Sequence, residues 1–217
     1  MNKRLFEIAV VCAGSFLLVL TASAADKNRA ETKLTPGQAE AEYTHVIDLR
    51  SQKIVVALGL TDTNKAAKVH DIIMAQYRAL NSWHNANDPR IEAAHHDKAA
   101  IAKINVPLRK MHEEYLAKLA QYLTPAQIEI VKDRMTYGKV QFTFKGYCVE
   151  YPNLSEANKQ EILKFLKQAR EEAMDAGSSE EKSAVFNQYK GKINNYLARQ
   201  DIHSEKWIKA HKGSQKK

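Results

Sequence analysis

One short pattern recurs along this chain and limits its fold more than any other feature. Leu34-Thr35-Pro36-Gly37-Gln38 and Leu123-Thr124-Pro125-Ala126-Gln127 each place Thr before Pro, with Gln three residues after the Thr. A Thr hydroxyl accepts from the exposed amides of a first helical turn, and Gln reaches back to the Thr amide. Pro suits that turn because its missing N–H would go unpaired there anyway. Leu60-Thr61-Asp62-Thr63-Asn64 and Leu154-Ser155-Glu156-Ala157-Asn158 are looser versions. Ser178-Ser179-Glu180-Glu181 makes a fifth start after Gly177, which reads as a left-handed helix stop, and Asp88-Pro89 makes a sixth. A chain punctuated in this way is expected to be all-α.

Apolar spacings of three and four residues fill the intervals. They predict helices over about 36–58, 62–86, 89–122 with a kink at Pro107, 125–135, 156–175 and 180–199. The expected fold is therefore a single helical bundle of about six helices, spanning residues 35–202. One segment departs from the rhythm. Residues 136–152 are rich in aromatic and β-branched side chains, and Val140, Phe142 and Phe144 alternate with polar neighbours. That period of two predicts an extended, partly strand-like crossover or a short hairpin.

The N-terminus reads as a secretory signal peptide. Lys3 and Arg4 precede a mostly apolar run over residues 5–20, and Ala22-Ser23-Ala24 offers small residues for cleavage before Ala25. The run falls short of the roughly 20 residues that cross a bilayer core. No later stretch of the sequence is apolar enough to span a membrane. Residues 1–24 are thus assigned to the signal, 25–34 to a disordered linker, and 203–217 to a basic tail with room for a short helix around Trp207. The expected location is periplasmic or secreted. Cys12 would leave with the signal and Cys148 would remain alone, so no intramolecular disulfide is expected and helix packing must hold the fold. Losing Lys3, Arg4 and Glu7 takes only one unit from the formal charge of +8, which favours acidic partners outside the cytoplasm over nucleic acid.

Metal chemistry is tested by Glu42-Tyr43-Thr44-His45 and Glu92-Ala93-Ala94-His95, the spacing by which helical bundles hold paired metals. On a helical wheel both pairs lie off the apolar faces, so no metal is expected. Nucleophile elbows and phosphate-binding glycine loops are absent from the sequence, and no cofactor is expected. The sharpest polar constellation starts at Asp175 and continues through Lys190, Lys192, Asn194 and Asn195 around the stripe of Tyr189 and Tyr196. Gly191 inside that helix costs about 1 kcal/mol relative to Ala, which predicts a close neighbour for its backbone. Amides for hydroxyls, Lys for carboxylates and Tyr for ring stacking suit an acidic carbohydrate. Tight helix packing, with Asn and Lys bonding loop carbonyls, is the competing account. Tyr137, Lys139, Lys145 and Tyr147 either rim the same cleft or belong to the core.

Residues 123–147 (LTPAQIEIVKDRMTYGKVQFTFKGY), 152–163 (PNLSEANKQEIL) and 169–197 (AREEAMDAGSSEEKSAVFNQYKGKINNYL) resemble the exported family catalogued as domain of unknown function 3826, and 58–81 (LGLTDTNKAAKVHDIIMAQYRALN) fits as well. The resemblance implies an exported helical protein of polysaccharide-degrading bacteria, encoded near carbohydrate-utilisation genes, and carries no catalytic residues with it. The Leu-Thr-x-x-Gln starts are also similar to those of small periplasmic helical chaperones. The leading expectation is a binding or accessory protein in acidic polysaccharide utilisation. The alternatives are a chaperone-like envelope-stress module and a lyase or hydrolase using Tyr137 or Tyr147 with Lys190.

Overall fold

The computed structural model describes residues 35–211, so the stretches read as signal peptide (1–24) and linker (25–34), and residues 212–217, lie outside the described part. Within it the chain forms α1 (Pro36–Ala57), α2 (Thr63–Ala93), α3 (Lys98–Ile104), α4 (Val106–Ala120), α5 (Pro125–Met135), α6 (Lys139–Glu150), α7 (Glu156–Met174), α8 (Ser179–Arg199) and α9 (Glu205–His211). Among the described residues there is no strand.

Five of the six starts form. Thr35 and Thr124 each close a reciprocal capping box with the Gln three residues on, and Ser155 and Ser178 cap α7 and α8. Asp62 caps α2 by accepting from the Lys65 amide. The sixth start does not form. Asp88 lies 2.9 Å from the His84 Nδ1 atom, so its carboxylate is engaged away from the backbone, and α2 runs on through Pro89. The cap passes instead to Asp97, which accepts from the amides of Ala99 and Ala100 and starts α3. At Pro107 the chain breaks rather than bends. α3 stops at Ile104 and α4 begins at Val106, which puts Pro107 in a first turn, where its missing N–H costs nothing.

The expected crossover at 136–152 is corrected to a helix. Val140, Thr143 and Tyr147 are the buried residues of α6, a spacing of three and four that the alternation of Phe142 and Phe144 had masked. A lone extended segment would leave its backbone groups unpaired, whereas a helix satisfies them internally. The turn into it uses left-handed backbone at Tyr137 (φ 58°) and Gly138 (φ 64°), with the Gly138 amide bonding back to the Asp133 carbonyl at 2.8 Å.

Two apolar cores result. One joins α1, α2, α4 and α5 through Ile54, Val69, Ile73, Leu119, Val131 and Met135. The other joins α6, α7 and α8 through Val140, Ile162, Leu166, Ala169, Phe186 and Ile193. α7 serves both, since Ala173 belongs to the second core and its neighbour Met174 to the first. Cys148 is free and half-buried on α6.

Two glycine expectations are also corrected. Gly177 is not among the left-handed glycines. It is small because a Cβ there would sit 2.9 Å from the His84 ring. Gly191 has nothing within 4 Å of the same test atom, so no neighbour explains it. Gly191→Ala should accordingly raise stability by about 0.5–1 kcal/mol in urea denaturation. Gly177→Ala and Gly138→Ala should lower it, the first by crowding His84 and the second by straining a left-handed residue.

Candidate functional site

The expected site residues fall into separate places. Tyr147 is buried, and its hydroxyl donates to Asn194 Oδ1 at 2.8 Å with the Lys190 backbone carbonyl at 3.2 Å. Burial is the main cause that pushes this phenol well above its ordinary value, so it is a neutral donor tying α6 to α8. Lys192 lies 3.6 Å over the ring of Tyr189, whose own hydroxyl donates to Glu172 of α7. Lys145, Lys190 and Asn195 are exposed and Lys139 is half-buried. Tyr137 stands apart, half-exposed at the α5–α6 turn; burial is the main cause that pushes the nearby Tyr77 phenol up to about 12, and Tyr137 adds to it. Tyr147 and Asn194 therefore meet each other rather than a common cleft.

Asp175 leads to a larger charged network that the sequence did not reveal. Its carboxylate lies 3.0 Å from His112 Nδ1 of α4, while His112 Nε2 lies 3.5 Å from Glu171. Hydrogen bonds to Asp175 and then Glu171 raise the imidazole from 6.5 to about 9, against the opposing effect of burial. For Glu171, burial works upward, yet bonds from His112 and Lys132 outweigh it and hold the carboxyl near 2. Lys132 of α5 reaches Glu171 at 2.8 Å. Next to it, Arg170 is only 2 % exposed and forks between Asp133 at 2.6 Å and Glu129, both on α5. Its Nε atom has no partner.

Helix spacing builds this clamp. Glu129, Lys132 and Asp133 share one face of α5, and Arg170 replaces an apolar residue on the stripe of Ile162, Leu166 and Ala173 in α7. Lys182 does the same on α8, one turn before Phe186. Its ammonium donates to the carbonyls of Ala173 at 2.8 Å and Ala176 at 3.0 Å, closing the C-terminus of α7. Burial lowers it to about 8, with Asp175 acting against that fall. A charge standing in an apolar stripe was the available signal for both residues.

At the outer edge of the clamp, Glu171 helps line an open depression of about 330 Å³ along α7, together with Gln160, Leu163, Lys164, Lys167 and Gln168. A second, of about 460 Å³, lies along α1 beside Arg134. Among the described residues no group of three His, Cys, Asp or Glu side chains could hold a metal ion, and Glu42, His45, Glu92 and His95 face solvent.

A match to the family described as "Protein of unknown function (DUF3826)" spans residues 44–217. The chain belongs to the DUF3826 family. No curated protein matches it. The charged clamp of this DUF3826 chain lies wholly within the matched span, as does the α7 depression.

Arg170→Ala should destabilise the protein by about 3 kcal/mol in chemical denaturation, because a buried site is emptied, Asp133 loses its cation and Glu129 keeps only Lys132, 3.7 Å away. The His112 contribution is complete below its ordinary value of 6.5 and is lost as pH rises towards about 9. Melting temperature should therefore decline between pH 6.5 and 8, and His112→Gln should flatten that decline. Above about 8 the buried Lys182 sheds its proton in the fold and acts in the opposite direction, so the lower window isolates His112.

Proposed function

We propose that this protein is exported and binds an acidic carbohydrate chain as an accessory protein, using the outward face of α7. The observation that carries the reading is the composition of the α7 depression: Gln160, Lys164, Lys167 and Gln168 recur at helical spacing around Leu163. Amide groups suit sugar hydroxyls, ammonium groups suit uronate carboxylates, and Leu163 offers an apolar patch to a ring face. The openness of the surface favours an extended chain over a small enclosed molecule, and the positive charge, one unit below +8 once the signal is removed, draws anionic polymers toward it. The export step rests on the N-terminal sequence alone.

This placement shifts the site from the α6–α8 cluster expected from sequence. There the Tyr147 hydroxyl spends its one hydrogen within the protein, and Lys190 presents a carbonyl to it rather than an ammonium. A lyase or hydrolase using Tyr147 would first need that hydroxyl released from Asn194.

Affinity electrophoresis through gels carrying a polyuronate, with a neutral polymer as control, tests the reading. The native protein should be retarded by the polyuronate alone, less so as salt is added. Lys164→Ala with Lys167→Ala should abolish the retardation, and Lys190→Ala should leave it in place. Equal mobility in both gels, or retardation that survives loss of both α7 lysines, would remove the proposal.

A further inference from the structure

Between Trp83 of α2 and Tyr115 of α4 no residue is fully buried. The end of α2, all of α3 and the start of α4 thus form an arm that packs through half-buried apolar groups such as Ile101, Ile104 and Leu108. Two histidines at the roots of this arm meet one place, the corner where α7 ends. His84 of α2 sets Nε2 2.7 Å from the Asp175 backbone carbonyl and Nδ1 2.9 Å from the Asp88 carboxylate. His112 of α4 sets Nδ1 3.0 Å from the Asp175 carboxylate and Nε2 3.5 Å from Glu171. Carbonyl and carboxylate oxygens accept and do not donate, so each ring keeps both contacts only with a hydrogen on both nitrogens. The corner has room for His84 because residue 177 is Gly, where a Cβ would lie 2.9 Å from the ring.

We propose that residues 84–112 form a proton-operated arm, closed on the α7 corner while both rings carry two hydrogens and opening locally as they lose the second. A ring with one hydrogen turns a lone pair toward an oxygen at its other nitrogen, and that contact becomes repulsive. Little else resists the opening, because an arm without buried side chains has few apolar contacts to lose. The charges around the two rings are Asp88 from α2, Lys132 from α5, Arg170, Glu171 and Asp175 from α7, and Glu181 and Lys182 from α8, with Arg50 of α1 felt by Lys182. The bond to Asp175 is the main cause that raises His112 to about 9 in the closed arm, against 6.5 for a free imidazole. Between those values the open arm gains population by about tenfold per pH unit for each proton released. Burial lowers Lys182 to about 8, within the same range, yet its ammonium bonds the Ala173 and Ala176 carbonyls and no group of the arm. The arm operates whether or not α7 binds a carbohydrate.

Hydrogen exchange read by mass spectrometry between about pH 6.5 and 8.5, corrected for the intrinsic effect of pH on amide exchange, tests the arm on the protein purified as the cell produces it. Amides of residues 85–111 should exchange at least about tenfold faster than those of α7 at every pH, through an opening that low urea does not accelerate. Their protection should fall by about tenfold between pH 7 and 8. His84→Gln and His112→Gln should each make that fall shallower, and the double replacement should remove it. Gly177→Ala should lower the arm's protection already at pH 6.5 by crowding His84. His70→Gln, at the separate contact of α2 with Asp48 of α1, should leave the fall in place. Arm protection equal to that of α7 would overturn the proposal, because the arm then opens only when the whole chain unfolds. So would protection that holds constant with pH, or a fall that persists in the double variant or disappears in His70→Gln. Should the double variant lose its helical circular dichroism, the single replacements decide, and a fall as steep as native in both overturns the proposal equally.

Discussion

The Arg170 guanidinium, buried between α5 and α7, is the contact on which the arrangement of the two cores depends. α7 packs its apolar stripe against α6 and α8, while its next residues must also face α5. A buried cation cannot be left without anions, and Glu129 and Asp133 on α5 are the groups that meet it. Only one rotation and one axial position of α7 brings the forked guanidinium to both carboxylates. Lys132, Glu171 and His112 extend the same alternation of charge to α4, so three helices are held in register by ionic contacts as well as by apolar packing.

Such a network is not a general source of stability. Apolar side chains of similar size often serve as well or better, because ions lose hydration on burial. Its value here lies in direction. Ile, Leu and Val tolerate several neighbouring registers, whereas a bidentate Arg–carboxylate contact tolerates very few. The clamp also leaves its outer carboxylate, Glu171, at the margin of the α7 depression, so the proposed ligand surface is tied to α4 and α5 at one end. Lys182 adds to this by anchoring the C-terminus of α7 from α8.

The stabilising clamp and the proposed ligand-facing surface thus occupy opposite faces of one helix. α7 carries the charged clamp inward and lysines and glutamines outward. α6, held down by Tyr147 against Asn194, turns Phe142 and Val149 away from the chain.

The helical class, the capped starts at Thr35, Thr124, Ser155 and Ser178, and most helix intervals were legible in the residues themselves. Their determinants are local: a cap and its amide are three residues apart, and an apolar stripe repeats every turn. Residues 136–152 were misread because one set of aromatic and β-branched side chains satisfies periods of two and of three to four. Only the demand for backbone hydrogen bonds and the burial of Val140, Thr143 and Tyr147 chose the helix. Asp88 looked like a cap until His84 engaged it. The charged clamp was out of reach for the same reason on a larger scale. Arg170 finds its partners 37 and 41 residues away, a pairing that packing of α5 against α7 creates and that no local spacing encodes.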